Sequence, residues 1–298
     1  MSQTQSLNRN HLALFRAVAE HGSITAASKA LRISQPAVSS QISSLERRLG
    51  GALFDRMPRG ARLTPLGEVL VGYARRIGQL EVEAVDAVAD FLGRRTGRLA
   101  VGASTSIGSY FLPEIMGELA RRYPGVQLSL RIDNTEGIQR DLTDGTLDVG
   151  LTEGFASEED FDVAIFRDDV LRLIAPADHP LVQGGPVPLD EVLAYPLLAR
   201  EPGSGTRAIV ERAFARAGVE APPKMSLGSS EALKRAVAAG LGVAWVSELA
   251  LAFELNAGVL KIVPVADFSI RRPLHRLLVR GRTPAPTIEA FEDLLRAA

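Results

Sequence analysis

Apolar residues recur at helical spacing from the first described segment onward. Leu12, Phe15, Val18 and Ala19 make one face of a predicted first helix, which His21-Gly22 ends. Ser23 is placed to cap a short second helix, Ile24–Leu31, in which Ala26, Ala27 and Ala30 let a neighbouring helix approach closely. After a brief turn at Arg32-Ile33, Ser34 is placed to cap a third helix with Pro36 in its first turn, where a missing N–H costs nothing. Val38, Ile42, Leu45 and Leu49 form the apolar stripe of that helix; Gln35, Ser39, Ser40, Ser43, Ser44 and Arg47 form its other side. Two short strand-like pieces follow, flanking a Pro/Gly turn that carries Arg56, Arg59 and Arg62. Short helix, tight turn, polar-faced helix and basic hairpin together predict a winged helix-turn-helix over residues 1–64.

From Thr64-Pro65 a long helix is predicted to about Arg94. Leu66, Leu70, Tyr73, Ile77, Leu80, Ala84, Ala87 and Phe91 advance by fours and threes, the heptad seam of a coiled coil. At ~1.5 Å per residue this helix is roughly 40 Å long. Its seam stays wet unless a partner chain covers it; packing back on its own domain is the alternative.

Beyond Gly97 the period changes. Strands are predicted at 98–103, 126–132 and 148–151, alternating with helices at 107–123 and 136–144. The alternation returns with strands at 197–199, 225–227 and 243–246 and helices at 206–217 and 231–239. This βαβ repetition predicts a mostly parallel α/β body in two lobes. The expected organisation is a DNA-binding domain over 1–64, a linker helix over 65–96 and an effector domain over 97–298. Within the last, lobe I takes 97–168 and 268–298, and lobe II takes 169–267.

Composition narrows the function. The 298 residues suit two to three domains, and the absence of cysteine excludes disulfides, thiolate catalysis and iron–sulfur clusters. The formal net charge of −1 conceals an asymmetry: residues 1–64 carry nine Lys and Arg against Glu20, Glu46 and Asp55, a balance of +6 that leaves −7 for the rest. A basic head on an acidic body suggests that the head alone meets a polyanion. With neither a signal-peptide pattern nor a run of ~20 apolar residues, a cytoplasmic protein is expected.

Enzyme chemistry finds no support. Gly203-Ser204-Gly205 is no nucleophile elbow, since Pro202 and Thr206 stand where glycines belong. Gly240-Leu241-Gly242 fails the dinucleotide fingerprint because Trp245 takes the third glycine position. His11, His21, His179 and His275 offer no metal spacing. No catalytic residue, metal or cofactor is expected.

Binding chemistry is better supplied. On the third helix, Gln35 can pair bidentately with adenine, Ser39 and Ser40 can bond to several base edges, and Pro36 can touch a thymine methyl, with Ser34 at a helix end that favours phosphate. Arg56 and Arg59 suit phosphates or the minor groove. An ordinary solvated helix face and a plain basic hairpin are the alternatives. In the body, Ser104-Thr105-Ser106, Ser204 to Arg207 and the segment before Ser230 each lie where a strand ends and a helix starts. Each offers hydroxyls and free N–H groups; together, with Arg207, they could cradle a small anion, and Thr152 and Glu153 border the same place. Glu153 would repel an anion unless protonated or turned away.

The run AVAEHGSITAASKALRISQPAVSSQISSLERRLGGALFDRMPRGARLTPLG resembles the N-terminal signature of LysR-type transcriptional regulators. By that resemblance Gln35, Pro36 and Ser39 enter the major groove, Arg56 and Arg59 serve the wing, and Ser40 replaces an arginine frequent in the family. The linker helix would pair two subunits into a homodimer, commonly a homotetramer, on promoter DNA. The body resembles the family's two-lobed effector domain, akin to periplasmic binding proteins. GASTSIGSYFLPE and REPGSGTR look most like the branch governing sulfite, cysteine or carbon-fixation genes, which implies an effector such as sulfite, sulfate or a small phosphorylated or carboxylated metabolite. The rival reading is a solute-binding α/β protein without DNA function.

Overall fold

The computed structural model describes residues 7–56, 60–91, 97–281 and 284–298, in two compact units, Met1–Val85 and Asp86–Ala298. In the first unit, α1 (Arg9–His21), α2 (Ile24–Leu31) and α3 (Gln35–Leu49) precede an antiparallel hairpin, β1 (Phe54–Arg56) with β2 (Ala61–Leu63), and then α4 (Pro65–Phe91). Local chemistry sets these limits. Gly22 ends α1 in the left-handed region (φ 61°), and Ser23 Oγ accepts the Ala26 N–H at 3.4 Å to start α2. Arg32, also left-handed (φ 55°), turns the chain between α2 and α3. That conformation costs a side-chain-bearing residue about 1 kcal/mol, so packing must hold the turn. Ser34 occupies the N-cap of α3 but makes no side-chain bond to the helix, unlike the capping role expected of it.

Phe15, Val18, Ala27, Val38, Ile42, Leu45 and Leu53 form the core of this unit, with the Phe15 and Phe54 rings 5.3 Å apart. Leu70, Val71 and Ala74 complete it from α4. The heptad reading of α4 therefore changes at one place. Leu70 is withdrawn into the helix-turn-helix core, and the exposed apolar line runs through Leu66, Val69, Tyr73, Ile77 and Leu80 instead. The first turns of α4 serve two surfaces, and a single heptad template cannot distinguish them. The side chains of Ala87 and Phe91 lie outside the described residues, as does Arg94.

The second unit continues with β3 (Gly97–Ser104), α5 (Thr105–Tyr110), α6 (Leu112–Arg122), β4 (Val126–Asp133), α7 (Thr135–Thr143), β5 (Val149–Thr152) and β6 (Phe161–Pro176). Then come α8 (Leu189–Leu193), β7 (Leu198–Arg200), α9 (Gly205–Arg216), β8 (Met225–Leu227), α10 (Ser230–Ala238), β9 (Ala244–Ser247), α11 (Ala252–Asn256), β10 (Leu260–Val263), β11 (Ile270–Val279) and α12 (Pro286–Ala297). The predicted helix over 107–123 is two helices, broken at Phe111 ahead of Leu112-Pro113. A proline disfavours helical geometry in the residue before it, so the break falls close by.

The main sheet runs β10-β6-β11-β5-β3-β4, with β9 also on β6, while β7 and β8 form a separate parallel pair. β6 and β11 make the fold two-lobed. They pair with each other over their length, from Ile270↔Leu171 to Val279↔Phe161. At one end β11 joins β5 of lobe I; at the other β6 joins β9 and β10 of lobe II. Lobe I packs Leu99, Val101, Ile107, Leu119 and Phe291 inside, and lobe II packs Leu173, Phe214, Val243 and Trp245. The crossing strands alternate cleanly over only part of their length, 169–173 in β6 and 270–275 in β11; the apolar pattern leaves both unassigned, together with α8, α11, β10 and α12.

Leu70→Ala should destabilise the N-terminal unit by about 2–4 kcal/mol, the usual cost of emptying a buried leucine site. Chemical denaturation followed by circular dichroism checks this, and a change below about 0.5 kcal/mol, typical of surface substitutions, would put Leu70 outside the core.

Candidate ligand cleft and nucleic-acid interface

On α3, burial separates two faces. Val38, Ile42 and Leu45 are buried, while Ser34, Gln35, Pro36, Ser39 and Ser40 are all exposed. With no capping bond from Ser34, its hydroxyl and the first N–H groups of α3 present a donor-rich helix end. The hairpin is held to this scaffold: Ala61 N–H donates to Gly22 O at 2.7 Å, and Leu53 N–H donates to Glu46 Oε1 at 2.8 Å. Arg62 pairs with Asp55 across the hairpin at 3.1 Å. Arg59 and the side chain of Arg56 lie outside the described residues.

The second site forms where strand ends of lobe I face helix starts of lobe II. Ser104 and Thr152 sit side by side at the carboxyl ends of the parallel strands β3 and β5, both buried. Ser106 Oγ lies 3.5 Å from Ser230 Oγ, so the first helix of lobe I meets α10 of lobe II. Thr206, at the start of α9, donates to Glu153 Oε1 at 3.0 Å. The lobes also approach each other at two glycines: a Cβ on Gly205 would fall 2.6 Å from Gly154 N, so only glycine permits this approach. Ser204 is buried beside them, and Ser104, Ser106, Thr152, Glu153, Ser204, Thr206 and Ser230 are all nearly sealed from water.

Two arginines organise the cluster, and the sequence pattern singles out neither. Arg200, at the end of β7, holds Glu201 bidentately (2.8 and 2.9 Å) and donates to Ser230 Oγ at 3.0 Å and Thr105 Oγ1 at 3.2 Å. Arg272, on β11, is wholly buried. It bonds Asp169 through Nε at 2.8 Å, donates to Thr206 Oγ1 at 2.8 Å and lies 3.4 Å from Glu153. Ser247 donates to the other Asp169 oxygen at 3.0 Å. Arg207, expected to add charge here, instead bonds Glu211, the Arg200 carbonyl and Ser226. Its i,i+4 position to Glu211 favours that outward arrangement. Arg200 is legible as the first residue of REPGSGTR; Arg272 belongs to the unassigned crossing strand.

Of the seven buried oxygens without a hydrogen-bond partner among the described residues, four belong to this cleft: Ser104 Oγ, Thr135 Oγ1, Thr152 Oγ1 and Glu153 Oε2. Native interiors rarely leave such groups unmet, so their concentration at one cleft marks a place that receives something polar. Beside Thr152, burial holds the His275 imidazole below its ordinary pKa against an opposing backbone bond to Gly154, so the ring is neutral at pH 7. The outer mouth between the lobes is a cleft of about 360 Å³ lined by Thr135, Gln139, Gly154, Ser204 and Arg207. Across the seam Lys234, buried, stays charged: burial opposes this, but Glu254, Tyr110 and Glu231 raise its pKa on balance. Its ammonium lies 4.8 Å from the ring of Tyr110, which belongs to lobe I. Among the described residues no helix is long and apolar enough to cross a membrane.

Comparison with known proteins fits both halves. Residues 9–68 match the family described as "Bacterial regulatory helix-turn-helix protein, lysR family", and residues 92–298 match "LysR substrate binding domain". A "Probable RuBisCO transcriptional regulator" of Emiliania huxleyi is 32% identical over 95% of this chain and 92% of its own length. The regulatory domain of CcmR from Synechocystis PCC6803, solved in complex with 2-PG, is 32% identical, covers 68% of this chain and 97% of its own, and superposes with a TM-score of 0.64. Full-length CbnR, solved with its target DNA, shares the fold over 98% of this chain and 99% of its own at 23% identity and a TM-score of 0.71. Polar-faced helix-turn-helix, two-lobed body and these matches make the chain a member of the LysR family: a ligand-responsive, DNA-binding transcriptional regulator and not an enzyme.

Proposed function

We propose that the chain binds promoter DNA in the cytoplasm as a homodimer, or a pair of dimers, and responds to a small anion held between the lobes of its body. The observation that carries the ligand half is the cluster of buried, partnerless oxygens beside Arg200 and Arg272. The phosphorylated acid bound by CcmR supports a small phosphorylated or carboxylated effector, in keeping with relatives named for RuBisCO regulation. Ser104, Thr105, Ser106, Thr152, Thr206 and Ser230 would contact it, with Arg200 supplying the charge expected of Arg207.

On the DNA side, Gln35, Pro36, Ser39 and Ser40 would read base edges, and Ser34, Arg56 and Arg59 would hold the backbone. The domain limits near 64 and 96 and the lobe limits near 168 and 268 belong to this reading. Dimerisation through α4 is supported by its exposed line of Leu66, Val69, Tyr73, Ile77 and Leu80. The effector need bind one conformation only ~1–3 kcal/mol better than the other to switch the regulator.

Gln35→Ala should cost about 1–3 kcal/mol on a specific promoter fragment and little on random DNA, read by fluorescence anisotropy. Arg59→Ala should weaken both alike and reduce the slope of log affinity against log salt by about one. A full-length protein without sequence preference at any salt concentration would end the DNA reading.

For the cleft, Thr152→Val should weaken 2-phosphoglycolate at least about tenfold, since it removes a partnerless hydroxyl that a buried anion would need. Calorimetric titration of the full chain measures this; an affinity equal to the parent's would place the ligand elsewhere.

A further inference from the structure

The acid in this cleft has chemistry that the anion reading alone does not use. Glu153 directly follows β5 and is 2% exposed. One of its oxygens is well met: Oε1 accepts from Thr206 at 3.0 Å and faces Arg272 Nη1 at 3.4 Å. The other, Oε2, is buried and has no donor from the chain. No side chain of the cleft bonds to it in this structure, although the hydroxyls of Ser104 and Thr152 there are themselves without partners. Arg272 donates to Asp169 Oδ2 through Nε at 2.8 Å, and its Nη2 lies 2.7 Å from the same oxygen without a hydrogen bond of its own. Thr206 spends its single proton on Oε1 and accepts from Arg272 Nη1 at 2.8 Å. Ser247 is taken by Asp169, and Arg200 by Glu201, Ser230 and Thr105.

The local charge points the same way. Arg272 is one guanidinium between two buried carboxylates, Asp169 and Glu153. A fully deprotonated anion beside Oε2 would add like charge in a place shielded from water, which is strongly unfavourable. A ligand bearing a proton on oxygen changes the sign of that contact: its O–H donates to Oε2, and repulsion becomes a charge-assisted hydrogen bond.

We propose that Glu153 reads an O–H group on the effector, so that this cleft selects an anion that also carries a hydroxyl, on phosphorus or on carbon, and rejects a bare tetrahedral dianion such as sulfate. This rests on the cleft being the anion-effector site, and 2-phosphoglycolate satisfies it only in the form that keeps a proton on its phosphate ester. It makes Glu153 a specificity residue, and it excludes the sulfate-like effectors that the family resemblance alone would admit. The principle is that a site with a buried acceptor discriminates against a ligand lacking the donor, because the acceptor is then left unmet.

Two matched ligand pairs test it on the full-length protein by calorimetric titration at pH 8. Inorganic phosphate and sulfate have nearly the same size, and only phosphate retains a P–OH. 3-Phosphoglycerate and its 2-deoxy analogue differ only in a C–OH, their phosphate esters being deprotonated at that pH. The parent should favour the hydroxylated member of at least one pair by about tenfold or more. Preference in the first pair alone identifies a P–OH donor, and in the second alone a C–OH donor. Glu153→Gln, which can itself donate, should reduce the preference to less than about threefold and improve sulfate binding. Binding of both members equally in both pairs overturns the proposal, as does a preference undiminished in Glu153→Gln. Should that variant not fold, the ratios in the parent protein still decide. Failure of all four ligands to bind overturns the anion reading of the cleft itself, and is thereby distinct from binding without discrimination.

Discussion

The body of this regulator depends on one cross-strand pair. Arg272 and Asp169 lie directly opposite each other on β11 and β6, the two strands common to both lobes. Burying a guanidinium costs several kcal/mol unless its donors are met, and removing one partner of such a pair typically costs about 3–5 kcal/mol. Here the partners come from every segment that converges on the crossing: Asp169 from β6, Thr206 from α9, Glu153 from the end of β5, with Ser247 of β9 fixing Asp169 in turn. The charge therefore does more than hold a sheet register. It ties the floor of the proposed ligand cleft to the two strands that the lobes share, so a ligand held there as proposed would act on that crossing without an intermediary.

In the N-terminal unit the deciding constraint is geometric. The α3 helix has one face that the core requires, at Val38, Ile42 and Leu45, and another that nothing in the described unit covers. Serines on an exposed helix face are poor helix formers, since their hydroxyls compete for backbone groups. The stability of the segment comes instead from its buried stripe and from Glu46 binding the hairpin entry through Leu53 N–H. The exposed residues are thereby released from any structural duty, and their short polar side chains leave the helix slim enough to enter a groove about 12 Å wide.

What can be read from the sequence follows from periodicity. The first three helices, the hairpin and the alternating elements of both lobes each bury a face at a fixed step, and those faces are legible within one or two residues. Leu70 misleads because α4 changes the surface it serves within a single turn. The crossing strands alternate over too little of their length to be legible, and with them go Arg272 and Asp169. The hydroxyl loops that meet in the cleft can be found because strand ends and helix starts signal themselves. Closeness in sequence to Ser204 and Thr206 favours Arg207 over Arg200, but it says nothing of a competing carboxylate; Glu211, one helical turn on, takes Arg207.

Closure of the cleft has its own energetics. Ser104, Thr152, Glu153 and Thr206 are almost sealed, so a ligand reaches them only when the lobes part. Parting breaks the Thr206–Glu153 bond, the Ser106–Ser230 approach and the Arg200 bond to Thr105. It also separates Gly154 from Gly205, and unpacks Tyr110 from lobe II and Leu249 from lobe I. The serine contact is neutral and worth about 0.5–1.5 kcal/mol net, and the two bonds to charged groups about 1.5–3 kcal/mol each. The glycine pair contributes proximity but no side-chain burial. The partnerless oxygens weaken the empty closed state further, since each remains unmet until a ligand arrives. If these groups bind the effector as proposed, they also set the free energy by which it favours closure, and binding and switching become one quantity rather than two.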